Sequence, residues 1–163
     1  MALWKDDYLI GIAPIDQDHK AFFDLVDLLD HSDNTFSDED LVVKSVLNIL
    51  MEYVDGHFYR EEKAMMRAKY PRVSHHKRSH EMFRGKVVEI VKAYDDGVTK
   101  IANGLSTLVA NWLVSHIAHD DKEYVTWITG QVDDRPLVFM AIESIAHRQK
   151  VESQNKPSQP DVW

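Results

Sequence analysis

Four long stretches of the chain carry apolar residues at the three- and four-residue spacing of an amphipathic helix. They cover residues 17–31, 39–69, 74–94 and 101–128. Glycine and proline are rare, with six and five residues, and no segment alternates as a β-strand does. Because short connections make neighbouring helices antiparallel, the sequence predicts an all-α fold, an antiparallel up-down-up-down four-helix bundle.

Histidine and acidic residues recur on or beside the apolar faces of all four predicted helices. A spacing of four residues places two such side chains on one face, one turn apart. The first helix carries His19, the second His57 with Glu61, the third His76 with His80, and the fourth His116 followed by Asp120 and Asp121. The sequence therefore predicts that every helix turns at least one metal ligand into the bundle core.

The type of ligand indicates which metal the site holds. Five imidazoles and two carboxylates suit two iron ions, whereas a single zinc ion would leave ligands over. A buried carboxylate such as Glu61 is costly unless it is paired or metal-bound. The chain has no cysteine, which excludes disulfides, thiolate zinc sites and iron–sulfur clusters.

An ordinary interpretation exists for each of these residues taken alone. A lone histidine on an apolar face is more often a hydrogen-bonded core residue than a ligand, but here the pattern coincides on four helices. The remaining histidines, His31, His75, His119 and His147, are predicted to lie at the surface, in loops or behind the ligands. Glu62 is predicted to face solvent.

Charge and length restrict the class of protein. The 163 residues suffice for one domain with a core. A formal net charge of −8 argues against a nucleic-acid partner, which requires a basic surface. No apolar run approaches the ~20 residues of a membrane span, and the N-terminus lacks the apolar core of a signal peptide. We therefore expect a soluble cytoplasmic protein with no membrane partner.

Residues 131–150 predict a short extra helix, because Pro136 suits a helix start and an apolar run follows it. Such a helix needs a surface to bury against, either the outside of its own bundle or a second copy of the chain. The short connection from Gly130 favours its own bundle, with an oligomer contact through residues 131–150 as the alternative. The polar residues 151–163 are predicted to be disordered.

Five stretches of the sequence together indicate a family. They are W-x-x-x-Y at Trp4 and Tyr8, then IDQDHK, HFYREEKAMM, YPRVSHHKRSH and WLVSHIAHDDKEY. In order and spacing they resemble the hemerythrin-like family, in particular the bacterial hemerythrins (bacteriohemerythrins). The resemblance spans residues 4–124 and implies that residues 1–130 form a hemerythrin-like diiron domain.

The resemblance also implies a role for each candidate ligand. One non-haem iron ion would be held by His76, His80 and His116, and the other by His19 and His57. Glu61 and Asp121 would bridge the two ions, together with an oxo or hydroxo group. The five-ligand iron would keep an open position for oxygen.

Spacing and resemblance disagree on the fourth helix. On a regular helix, Asp120 lies nearer the face of His116 than Asp121 does. The family spacing of five residues from histidine to bridging aspartate selects Asp121, and a local widening of the helix would supply the extra rotation. We therefore predict Asp121 as the ligand, with Asp120 as the alternative.

The implied function is reversible binding of molecular oxygen, for carriage, storage, delivery or sensing, rather than catalysis. Phe58, Trp112, Leu113 and Ile117 match positions that line the oxygen pocket in the family. The alternative is a diiron enzyme acting on peroxide, nitric oxide or ferrous iron. A polar residue over the open iron would favour the enzyme, whereas Leu113 and Ile117 argue against it.

Overall fold

The computed structural model describes residues 4–35, 39–98 and 102–155, and all of the regular structure within them is helical. The side chain of His31 lies outside the described part. A 3-10 helix at Asp6–Tyr8 precedes the long helices. These are α1 (Ala13–Thr35), α2 (Glu39–Arg67), α3 (Val73–Asp95), α4 (Ala102–His116), a π-helical turn (Ile117–Asp121), α5 (Lys122–Ile128) and α6 (Leu137–Asn155). The predicted all-α class is confirmed.

The helices α1 to α4, with α5 continuing α4, form the predicted four-helix bundle. Helix α1 packs against α2 and α4, and α3 packs against the same two helices. The apolar stripes meet along the bundle axis in one core, which includes Phe22, Leu47, Phe83, Leu105 and Leu113. Because the connections are short, consecutive helices of the bundle run in opposite directions.

The helix ends lie at residues that cannot continue a helix. Helix α2 ends at Arg67, two residues before the predicted end, because Lys69 adopts a φ of 55° and the amide of Tyr70 donates to the carbonyl of Met65 at 2.9 Å; Pro71 follows this cap. Gly97 follows α3 with a φ of 95°, and the amide of Val98 then donates to the carbonyl of Ala93 at 3.0 Å, a Schellman cap. Gly130 has a φ of 78° after α5 and turns the chain back along the bundle.

Helix α6 packs along the outside of its own bundle, against α2. The two helices lie in close contact at Gly56, where a Cβ would lie 2.8 Å from the carbonyl oxygen of Leu137 and 3.1 Å from the amide nitrogen of Ala141. Of the two surfaces considered, the structure thus places α6 on its own bundle. The helix continues past residue 150 to Asn155, and residues 156–163 of the predicted tail lie outside the described residues.

The opposite face of α6 exposes apolar side chains to solvent. Val138, Phe139, Ile142 and Ile145 are each between 43% and 58% exposed. None of the described helices is both long enough and apolar enough to cross a lipid bilayer.

Candidate metal centre

The seven predicted ligands converge in the middle of the bundle, and each is at most 2% exposed. Six of these side chains form two adjoining groups that share Glu61, and Asp121 lies between the groups. The first comprises Glu61, His76, His80 and His116; the second comprises His19, His57 and Glu61. Helical spacing produces this arrangement, because residues four apart on α2 and α3 both face the core.

In the first group three imidazole nitrogens point at one another. The Nε2 atom of His116 lies 3.0 Å from Nε2 of His80 and 3.2 Å from Nε2 of His76. Oxygen Oε2 of Glu61 lies 3.1 Å from Nε2 of His80. Donor atoms bound to one transition-metal ion at about 2.1 Å stand about 3 Å apart, so these separations suit a shared ion.

The second group is formed across α1 and α2. Nε2 of His57 lies 3.5 Å from Oε1 of Glu61, and Nε2 of His19 lies 4.0 Å from the same oxygen. Nε2 of His19 also lies 3.2 Å from Oδ2 of Asp121. Two imidazoles and two carboxylate oxygens therefore surround this second point.

Each carboxylate presents one oxygen to each group. Glu61 turns Oε1 towards the second group and Oε2 towards the first, at 3.5 Å from Nε2 of His76. Asp121 turns Oδ2 towards His19 and Oδ1 towards His116, at 3.1 Å. The hydroxyl of Tyr124 donates a short hydrogen bond to Oε1 of Glu61 and fixes its orientation. Each carboxylate therefore faces both histidine groups.

A π-helical turn decides which aspartate enters the site. It spans Ile117–Asp121, so the helix is wider here, and Asp121 is fully buried at the centre. Asp120 lies outside this centre, where its Oδ2 accepts from Nδ1 of His116 at 2.9 Å. The widening required by the five-residue spacing is present in the structure.

Three carboxylates stand behind the histidines, on the side away from the centre. Besides Asp120 behind His116, Oε1 of Glu62 lies 3.1 Å from Nδ1 of His80. Oδ2 of Asp18 lies 3.3 Å from Nδ1 of His57. Such carboxylate–histidine pairs orient a metal-binding imidazole and raise its basicity.

Sequence reasoning missed these backing groups, since it assigned Glu62 to solvent and did not single out Asp18. The available signal was adjacency, because Asp18 precedes His19, Glu62 follows Glu61 and Asp120 precedes Asp121. A residue next to a ligand on one helix can reach the back of a ligand on another. Among the histidines whose side chains are described, those predicted not to be ligands are exposed: His75, His119 and His147.

Mutual charge interactions dominate the protonation of the metal-free centre. Burial raises the pKa of Glu61, but His57 and the hydrogen bonds from the other histidines lower it well below its usual value. Burial and the charge of Glu61 raise the pKa of Asp121, but the interactions with His116 and His19 outweigh them and hold it well below its usual value. Burial lowers the pKa of His116, but Asp121 and Asp120 raise it to about 10. Both core carboxylates are thus held ionised, the state that binds metal.

Several buried polar atoms at the centre have no hydrogen-bond partner in the described structure. They are both ring nitrogens of His19, Nε2 of His57, Oε2 of Glu61 and both carboxylate oxygens of Asp121. Unpartnered buried polar atoms are rare in folded proteins and call for an explanation such as a bound ion. The donor set, imidazole nitrogen with carboxylate oxygen, fits non-haem iron.

Two of the predicted pocket residues stack on imidazoles of the first group. The ring of Phe58 lies 3.8 Å from that of His80, at 4° between planes. The indole of Trp112 lies 4.2 Å from the ring of His116, at 16°. Leu113 and Ile117 are fully buried in the same core. Aromatic rings therefore cover two of the three imidazoles of the first group on one side.

A family model described as hemerythrin HHE cation binding domain matches residues 10–128. The chain belongs to the hemerythrin family. A bacteriohemerythrin of Stenotrophomonas maltophilia is 33% identical over 133 residues, covering 82% of this chain and 85% of the relative. A bacteriohemerythrin of Clostridium acetobutylicum is 28% identical over 77% of this chain and 99% of its own length. A hemerythrin-like protein of Naegleria gruberi is 23% identical over 74% and 88%.

The hemerythrin match contains the whole candidate metal centre. It begins before His19 and ends at residue 128, after Asp121 and Tyr124. Helix α6 and the turn that leads into it lie beyond the matched region. This chain therefore combines a hemerythrin bundle with a further C-terminal helix packed on α2.

Proposed function

We propose that this chain holds two iron ions in the centre of the bundle and binds molecular oxygen there reversibly. His76, His80 and His116 would hold one ion, and His19 and His57 the other, with Glu61 and Asp121 shared between them. The observation that carries the proposal is the pair of bridging orientations, with one oxygen of each carboxylate facing each histidine group. Family membership supports the same assignment.

Two iron ions in this position would supply the oxygen-binding chemistry, and the surrounding side chains control what reaches them. Phe58 and Trp112 cover the imidazoles of the first group, and Leu113 and Ile117 fill the core beside them. This apolar packing excludes water from the centre, which limits proton delivery. Such an environment favours reversible binding for carriage, storage, delivery or sensing over turnover.

The hydroxyl of Tyr124, which donates to Glu61, stays protonated. Burial and the charges of Asp121 and Glu61 raise the pKa of Tyr124 well above its usual value. Its proton stays on the phenol oxygen and serves the hydrogen bond to Glu61. Tyr124 therefore orients the carboxylate and is a poor proton donor, in agreement with a binding role.

The proposal is tested by loading the full chain with ferrous iron under anaerobic conditions. We expect about two iron ions per chain. Visible charge-transfer bands should appear when oxygen is admitted and disappear when it is removed. One bound zinc ion, or no tightly bound metal, would contradict the metal assignment. Irreversible bleaching, or sustained turnover of added peroxide, would instead support a diiron enzyme.

A matched pair of variants separates ligand loss from general damage to the π-helical turn. His116→Ala removes a buried imidazole at the centre, whereas His119→Ala removes an exposed one in the same turn. We expect the first variant to lose bound iron and the oxygen-dependent bands. The second should retain both, because the ring of His119 contacts only the backbone carbonyl of Ser115 among its described hydrogen-bond partners.

A further inference from the structure

A buried arginine connects the C-terminal segment to the interior of the bundle. Arg60, on α2, is only 3% exposed. Its Nη1 and Nη2 atoms donate to the backbone carbonyls of Asp133 and Arg135, the second at 3.0 Å. Its Nε atom lies 2.9 Å from Oδ2 of Asp18 and forms an ion pair with it, without the alignment of a hydrogen bond. One planar guanidinium thus joins the turn before α6 to an acid on α1.

The same acid lies against a proposed metal ligand. Oδ2 of Asp18 is 3.3 Å from Nδ1 of His57. Because an ionised carboxylate can only accept, Nδ1 of His57 must carry the hydrogen of this bond. That leaves the lone pair of Nε2 directed at the centre, where Nε2 has no other hydrogen-bond partner. Asp18 therefore selects the tautomer of His57 that can bind a metal.

We propose that Asp18 and Arg60 are positioning residues for His57, and that through them the seating of residues 131–155 on the bundle controls how well His57 is held for metal binding. The proposal rests on the metal-binding function proposed above. It adds a regulatory path from a segment that lies outside the matched hemerythrin region to one imidazole of the centre.

The physical basis of this coupling is the fixed geometry of the guanidinium group. Its donors lie in one rigid plane, so Arg60 can donate to both carbonyls and keep its ion pair with Asp18 only in a single orientation. If the turn at 131–136 moves away, two buried donors lose their acceptors and the guanidinium reorients. Asp18 is then free to turn from His57. By linkage, metal held on His57 must stabilise the seated turn to the same extent.

The outer contacts of α6 provide a control, because they bypass Asp18. The ammonium of Lys63 lies 2.8 Å from Oε2 of Glu143 and 3.4 Å from Oδ2 of Asp133. These ion pairs hold the same segment on the same helix, but Lys63 itself contacts neither Asp18 nor His57 among the described contacts. Lys63→Met should loosen the segment while Arg60 keeps its contacts, so it should disturb the imidazole less than a change at Arg60.

The first experiment uses the metal-free full chain and reads the imidazole nitrogens of His57 by ¹⁵N NMR. Burial lowers the pKa of His57, but Glu61 and Asp18 outweigh it and raise that pKa, so the spectra are recorded at alkaline pH, where the ring is neutral. Wild type should then show the Nδ1–H tautomer. Arg60→Lys keeps one charge near Asp18 but cannot make all three contacts, so we expect a mixture of tautomers. Lys63→Met should shift the tautomer less than Arg60→Lys does, because Arg60 is still present. An unchanged tautomer in Arg60→Lys, or an equal change in Lys63→Met, would overturn the positioning role.

The second experiment reads the path in the opposite direction, again without metal. Asp18→Asn removes the charge that orients Arg60, although Asp18 has no described contact with the C-terminal segment. We expect several-fold faster amide hydrogen exchange in residues 131–155 of this variant. The exposed acid Asp24 on α1 supplies the control, and Asp24→Asn should leave that exchange unchanged. Unchanged exchange in Asp18→Asn would refute the coupling.

The third measurement joins the path to the metal. With cobalt(II) as probe, Asp18→Asn should bind about 10- to 100-fold more weakly than wild type, the usual effect of losing a carboxylate behind a metal-binding histidine. Wild-type affinity in Asp18→Asn would contradict the positioning role. If wild type itself binds no metal, the proposed function fails, while the two metal-free experiments still decide the roles of Asp18 and Arg60.

Discussion

The approach of α6 to α2 at Gly56 gives a prediction whose sign depends on the tertiary structure. In an isolated helix, replacing glycine with alanine stabilises by about 1 kcal/mol, because the backbone loses less entropy on folding. At Gly56 the added methyl carbon would lie 2.8 Å from the carbonyl oxygen of Leu137 and 2.9 Å from its Cγ atom. The first of these is backbone, which cannot rotate away.

The two effects of Gly56→Ala therefore oppose each other. Overpacking a well-filled contact costs about 1–3 kcal/mol. Subtracting the gain in helix propensity leaves a net loss of about 1 kcal/mol in the free energy of unfolding. For a chain of this length that corresponds to a fall in Tm of about 2–4 °C. The methyl group should also move α6 outward from α2.

Gly85 on α3 provides a matched control, because a Cβ at that position meets no atom within 4 Å. Gly85→Ala should raise Tm, since only the propensity gain of up to about 1 kcal/mol applies there. Thermal and urea unfolding of the metal-free chain would measure both variants, and leaving out metal avoids its contribution to stability. If Gly56→Ala is as stabilising as Gly85→Ala, the close packing of α6 on α2 is wrong.

Four further predictions concern the centre and the C-terminal helix. Asp121→Ala should strip iron far more than Asp120→Ala, and the reverse result in metal analysis would favour regular-helix geometry. Leu113→Ala should keep its iron but lose about 2–5 kcal/mol in the free energy of unfolding. It should also autoxidise faster, because water reaches the centre, and an unchanged autoxidation rate would show that Leu113 does not screen the centre. Truncation after Gly130 should lower Tm while iron still binds, more weakly; loss of oligomers with unchanged Tm would assign α6 to an interface. Burial lowers the pKa of His116, but the neighbouring carboxylates raise it to about 10, so metal binding at pH 7 must displace a proton from this imidazole. Metal affinity should therefore fall as pH falls, and calorimetry in different buffers should show a binding heat that depends on the buffer.

Local sequence determined the helices and the direction of the predicted ligands. Apolar residues that recur every three or four positions lie on one face only if the segment is helical. The four long helices could therefore be predicted without tertiary information. The same period places His57 with Glu61, and His76 with His80, on one face of a helix. The convergence of these pairs in one core followed from packing the apolar faces together.

Contacts between distant segments decided the rest, because they depend on where one helix lies against another. Regular-helix spacing alone favoured Asp120, whereas the family spacing predicted Asp121, and the π-helical turn is the feature of the structure that brings Asp121 to the centre. The acids behind the histidines, Asp18 and Glu62, could not be paired with His57 and His80 from sequence, since each pair joins two different helices.

The C-terminal helix shows the same division. Its apolar run predicted that residues 131–150 need a surface to pack against. Either the bundle or a second chain could cover these side chains, because the hydrophobic effect is not directional. The choice depends on shape: Gly56 lets the backbones of α2 and α6 approach closely, and Arg60 finds two carbonyls in the turn before α6. Sequence by itself determined that α6 must be covered, and steric fit and hydrogen-bond geometry in the folded bundle decided where it packs.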